Sequence, residues 1–112
     1  MRRKHLSPYR IMWLFVMFDL PVGTKKERKE ATGFRNYLLD LGFEMSQFSI
    51  YAKYCSSGDK AESIGKQIQP QLPFGGKVDI LTITDKQFSN IKRFYGKSKA
   101  KKDEKPTQLR MF

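Results

Sequence analysis

A lone carboxylate that closes an apolar run is the first feature here capable of chemistry. In Phe18-Asp19-Leu20-Pro21 the aspartate follows eight consecutive apolar residues, 11–18. Two readings of Asp19 stand side by side. It is either a turn residue whose oxygens cap nearby backbone N–H groups, or a catalytic magnesium ligand. Mg2+ needs only one or two carboxylates when water and substrate phosphates complete its octahedron. One aspartate per chain is too little for a self-contained site, whereas two copies meeting across a dimer axis would suffice. Without an ion those two carboxylates would repel each other.

The second constellation is basic. Lys25, Lys26, Arg28, Lys29 and Arg35 fall within one segment of helical pattern, with Arg10 and the Arg2-Arg3-Lys4 cluster upstream. Lysine and arginine neutralise phosphates without any sequence motif, so such a face suits backbone binding rather than base reading. Its plainer reading is a solvated charged surface. The third is Gln47-Phe48-Ser49-Ile50-Tyr51, where polar and apolar residues alternate. An ordinary amphipathic strand explains that pattern equally well. There is no Gly-rich phosphate loop, no Ser/His/Asp order and no carboxylate pair at helical spacing.

Composition favours a polyanionic partner. The net charge is +11, from 22 Lys and Arg against 11 Asp and Glu, while 39% hydrophobic and 13% aromatic residues suffice for a core. The excess concerns partners and solubility rather than fold. Residues 1–37 carry +6 and residues 96–112 carry +4, against +1 for 38–95, so the field sits at both ends of the chain. Nucleic acid is the first candidate partner and an acidic membrane surface the second. A single cysteine, Cys55, makes no intrachain disulfide and suits a reducing cytoplasm. A single histidine, His5, rules out a His/Cys zinc cluster within one chain. The apolar run is too short to span a bilayer, and no cleavage site follows the basic start. A soluble cytoplasmic protein with no membrane partner is expected.

The elements that must position these groups follow from the pattern. Residues 1–9 read as a basic arm and 10–95 as one domain. Residues 96–112 read as a basic, disordered tail with an apolar end, Leu109-Arg110-Met111-Phe112. The run over 11–18 suits a central strand buried on both faces. Thr24 and Glu27 have the spacing of a capping box, and Gly42 suits the helix end. Ala31, Phe34, Leu38 and Leu41 form that helix's apolar stripe, which puts Lys25, Arg28, Lys29 and Arg35 on its outward side. Over 43–54 the apolar residues switch from odd to even positions, so a bulge or tight turn is expected at Ser46-Gln47. A weaker helix over about 59–69 turns Ala61, Ile64 and Ile68 inward. Pro70, Pro73 and Gly75-Gly76 make a connection, 78–84 is β-rich, Asp85-Lys86-Gln87-Phe88 turns the chain, and 91–95 forms a last strand. The order is α+β: a ferredoxin-like βαββαβ domain with an extra C-terminal strand.

Taken in order, these segments resemble the CRISPR-associated "Cas Two" family, the small subunit of the spacer-acquisition complex. Four stretches carry the likeness. They are Phe18-Asp19-Leu20-Pro21; Lys25-Lys26-Glu27-Arg28-Lys29; a Gly-Phe strand leading to Gln47-Phe48-Ser49-Ile50-Tyr51; and Gly76-Lys77-Val78 running on to Thr84-Asp85-Lys86-Gln87-Phe88. Tyr9-Arg10 with Trp13 resembles members from type II, Cas-Nine-associated systems. The resemblance implies a homodimer whose last strand crosses to the partner's sheet, and association with the family's integrase, the "Cas One" protein. The dimer would be a scaffold that holds duplex DNA through basic side chains. It also implies a Mg2+-dependent endonuclease acting on RNA or double-stranded DNA, with Asp19 as metal ligand. Two positions depart from the pattern: Phe18 lacks the hydroxyl of members with Tyr at this place, and Met45 stands where some nuclease-active members carry a basic residue. Lys26 and Arg28 are left as candidates to neutralise transition-state charge. A non-catalytic RNA-binding module is the remaining alternative, and it requires solvent-facing aromatics on the central strands.

Overall fold

The computed structural model describes residues 10–97, so the basic arm over 1–9 and the tail beyond 97 lie outside the described residues. The chain runs β1 (Met12–Asp19), α1 (Lys25–Asp40), β2 (Glu44–Gln47), β3 (Ile50–Cys55), α2 (Gly58–Ile68), a 3-10 turn (Gln69–Gln71), β4 (Lys77–Thr84) and α3 (Asp85–Ser89). The four strands form one antiparallel sheet in the order β2-β3-β1-β4. This is the ferredoxin-like order.

The central strand is β1, as its unbroken hydrophobicity requires. Strand alternation sends Met12, Leu14, Val16 and Phe18 to one face. There they meet Phe34 and Leu38 of α1, Ala61 and Ile68 of α2, and Tyr51 and Cys55 of β3 in one core. Trp13, Phe15 and Met17 take the opposite, open face. Phe15 is buried there with Ala52 and Phe88, and Trp13, Ile50 and Ile83 pack around them.

Local chemistry sets the helix ends. Thr24 Oγ1 accepts the Glu27 N–H at 3.0 Å and Glu27 Oε1 accepts the Thr24 N–H at 3.0 Å, so the capping box closes in both directions. At the other end Gly42 has φ +100°. Its N–H donates to Leu39 O and the Phe43 N–H to Leu38 O, each at 3.0 Å, which is the Schellman pattern. Phe43 then packs in the same core as Leu38.

The structure relocates two expected features. The phase switch over 43–54 is resolved by a bulge between Met45 and Gln47, as expected, but the chain also reverses two residues later. Gln47 pairs with Ile50, so Phe48-Ser49 is a two-residue hairpin turn joining β2 to β3. The strand expected over 91–95 does not form within this chain: residues 91–97 have no regular secondary structure. The cause is α3. A second capping box, Thr84 with Gln87, starts this one-turn helix directly at the end of β4. The following chain does not return along β4. Arg93 Nη2 donates to Ser46 Oγ of β2 at 3.1 Å, on the far side of the sheet. The outer edge of β4 is unpaired among the described residues.

Candidate nucleic-acid interface and carboxylate site

Asp19 is the last residue of β1 and is exposed. Its carboxylate has no hydrogen-bond or ion-pair partner among the described residues and caps no backbone N–H there. Parity along β1 places its side chain on the open face, with Trp13, Phe15 and Met17. Across the ladder it stands opposite Lys77, while Met17 stands opposite Asp79. Directly opposed residues share a face and diagonal ones are near neighbours, about 7–8 Å apart. Asp79 is therefore a second carboxylate diagonal to Asp19 on the open face. Sequence reasoning missed it because the alternation Lys77, Asp79, Leu81 does not reveal which strand it will face; only the register does. Among the described residues no cluster of three or more His, Cys, Asp or Glu side chains is placed to hold a metal. A one- or two-carboxylate set with open positions still fits Mg2+, which relies on water and phosphate oxygens for the rest.

The loop from Asp19 to α1 is held firmly. Glu27 Oε1 also accepts the Gly23 N–H at 2.9 Å, and Arg28 Nη1 donates to Val22 O at 3.0 Å. Arg28 thus folds over the loop. Lys26, well exposed, forms a loose pair at 4.0 Å with the partly exposed Glu30, an arrangement of little energetic weight. Lys25 and Lys29 are exposed and have no partner among the described residues. The first turn and a half of α1 is therefore a compact basic patch. Phe34 packs edge-on against Phe18 with ring centroids 5.2 Å apart. The helix start lies about 13 Å along the axis from that contact.

The other two basic candidates are not part of this patch. Arg10 is exposed at the entry to β1, at the opposite end from Asp19 and about 30 Å along the chain from it. Arg35 does not point outward as the helical wheel predicts. Its guanidinium lies 4.4 Å from the Phe48 ring and 5.7 Å from the Phe18 ring, half-buried, with Nε unpaired. The reason is its place one residue past the buried Phe34, at the margin of the apolar stripe, where the planar guanidinium finds two aromatic faces.

Of the open-face aromatics, Phe15 and Phe88 are buried, and Tyr54, half-exposed, meets the Trp13 ring edge-on. Trp13 lies parallel to Phe88 with centroids 3.7 Å apart and 4° between planes, and its Nε1–H donates to Asp85 Oδ1 at 2.8 Å. Among the described residues no helix is long and apolar enough to cross a membrane.

The sheet order and the two helices on one face define a ferredoxin-like α+β protein, with a bare carboxylate ending its central strand. Residues 12–91 match the family model described as CRISPR associated protein Cas2, and the chain belongs to that family. A protein named CRISPR-associated endoribonuclease Cas2 from Paracidovorax avenae is 50% identical over 107 residues, covering 96% of this chain and 99% of the relative. Its namesake from Flavobacterium psychrophilum is 49% identical over 107 residues, covering 96% and 93%. A solved structure described as the crystal structure of cas2 aligns with TM-score 0.56 and 16% identity, over 81% of this chain and 93% of that one. At that identity the likeness shows the fold alone.

Proposed function

We propose that this chain works as a homodimer holding duplex DNA as a scaffold for CRISPR spacer integration, together with the family's integrase. One observation carries the reading: the start of α1 presents Lys25 and Lys29 without acidic partners among the described residues, beside Lys26 and Arg28, on a chain of net charge +11. The homodimer is supported by the edge of β4, unpaired among the described residues, where Ile80 and Leu81 are exposed. Bare sheet edges are ready to pair with another strand. RNA remains a second polyanion for the same patch. The test is duplex affinity against salt. With about 6–10 phosphate contacts per dimer, log K falls against log salt with a slope of roughly −5 to −9. A slope near zero defeats the reading.

Metal-dependent endonuclease activity is the second reading, favoured by the unpartnered Asp19 carboxylate and by the names of the relatives. Asp19, with Asp79 diagonal to it, would hold Mg2+, which supplies a polarised water and charge neutralisation at a phosphodiester. Lys77 would place a positive charge beside the same carboxylate, and Lys26 and Arg28 would anchor flanking phosphates. The experiment compares cleavage of labelled duplex DNA and single-stranded RNA by the native protein and Asp19→Ala, with and without Mg2+. Metal-dependent cleavage lost in Asp19→Ala, with binding retained, establishes the nuclease. Equal cleavage by both proteins leaves Asp19 outside the chemistry.

A further inference from the structure

Phe74 is the most exposed hydrophobic residue described, at 95%. An apolar ring held in water calls for a reason when the backbone beneath it is built rigidly. The Gly76 N–H donates to Pro73 O at 3.0 Å and Gly75 has φ +81°, which makes 73–76 a type II turn with Phe74 at its outer corner. A side chain on Gly76 would come within 2.8 Å of Leu20 Cδ2, and one on Gly75 within 3.2 Å of Pro21 Cγ. The turn is therefore seated on Leu20-Pro21, the two residues that follow Asp19. Lys77, three positions after Phe74, stands opposite Asp19. Three residues separate Pro21 from Lys25, so their Cα atoms are at most about 14 Å apart.

Of the other aromatics near this end of the sheet, Phe18 and Phe34 pack in the core, and Phe48, 70% exposed, has one ring face taken by Arg35. Phe94, also exposed, belongs to the irregular segment 91–97 rather than to a closed turn. Phe74 thus offers a free ring on a closed turn, three positions before Lys77 and seated on the two residues that lead from Asp19 toward the lysines of α1. An aromatic face with flanking cations is the minimal platform for a single strand: the phosphates follow the charges while an unpaired base stacks on the ring. A partner that was only apolar would have no use for the lysines. A fully paired duplex would present no base to the ring.

We infer that Phe74 is a base-stacking residue that gives this protein a binding site for unpaired nucleotides, distinct from its grip on duplex backbone. The inference rests on the nucleic-acid reading above and adds the kind of strand bound. The test uses the full chain as native protein, Phe74→Ala, Phe74→Leu and Phe74→Trp. Binding is measured by gel mobility to single-stranded oligothymidylate and to a blunt duplex, each over a range of salt. Phe74→Ala and Phe74→Leu weaken oligothymidylate binding by about 5- to 100-fold, Phe74→Trp keeps it, and duplex affinity stays within about two-fold. The salt slope for oligothymidylate is unchanged in all three, because the ring carries no charge and displaces no counterion. Native-like binding by Phe74→Ala, or by Phe74→Leu, overturns the assignment, as do equal losses on duplex and single strand. Those results would leave the duplex reading intact. Native protein that binds neither nucleic acid overturns both.

Discussion

The two faces of the sheet are covered in different ways, and the difference separates stability from chemistry. On the helix face, α1 and α2 close over β1 and β3, and Leu14, Val16, Leu38 and Ile68 are wholly buried. Among the described residues no buried one there is polar or charged. On the open face the cover is short: α3 and the irregular chain after it, with Phe88 as the main apolar contact. α3 covers the Trp13 end of β1 and the chain after it reaches Ser46 of β2, level with Val16 and Met17, while Asp19, Asp79 and Lys77 on β1 and β4 face water. A protein of this size can leave half a sheet lightly covered only because the other half carries the folding energy. The lightly covered half is then free to carry charge.

Substitutions on the two faces test that division, beginning with the largest effect. Leu38→Ala opens a cavity in the helix-face core and should cost about 2–5 kcal/mol in urea unfolding. Phe88→Ala removes the open-face plug and its ring stack; a cost of about 2 kcal/mol is expected, because the small cluster can collapse around the gap. If Phe88→Ala proves as costly as Leu38→Ala, the two faces are not energetically distinct. Asp85→Ala deletes the acceptor for the Trp13 indole N–H and should cost about 1 kcal/mol, since the pair is exposed. Lys25→Ala and Lys29→Ala should leave urea stability within about 0.5 kcal/mol. Each should weaken binding to unrelated duplexes alike and flatten the salt slope by about one for each phosphate no longer neutralised.

The smallest effect concerns pH. Burial pushes the Cys55 thiol above its ordinary 9.0, with Lys53 and Lys60 pulling weakly the other way. The neutral thiol is thus favoured in the fold. Its contribution is complete below about pH 9, where the unfolded thiol also keeps its proton, and it fades as pH rises through the higher folded value. Native protein should lose stability above pH 9 somewhat faster than Cys55→Ala; parallel curves would show the thiol to be as well solvated as in the unfolded chain.

Much of the helix face was legible in the sequence because it is written in local terms. The spacing of Thr24 and Glu27, the glycine at 42, the i, i+3, i+7 stripe of α1 and the apolar run of β1 all act within a few residues of themselves. The helix over 58–68 and the strand over 77–84 follow from the same kind of pattern, to within a residue. What was not legible depends on register. Asp79 joins the face of Asp19 only when Met17 is set opposite it. Arg35 turns inward because Phe48, thirteen positions on, arrives over it through a hairpin whose turn sits two residues beyond the predicted break. The expected strand over 91–95 has the right composition, but α3 steers it across the open face to Ser46. Phe74 reads as an ordinary connection until the turn around it is seen to be closed and docked on Leu20 and Pro21.

The stack of Trp13 on Phe88 has one more consequence. The chain has a single tryptophan, and its indole is pinned in a fixed, asymmetric environment by a residue of the very segment that covers the open face. Indole emission and the tryptophan band of the near-ultraviolet circular dichroism spectrum therefore report on that segment without any label. If the segment after β4 leaves its own sheet for another copy of the chain, the optical signal should depend on protein concentration, and its relaxation after dilution would time the exchange.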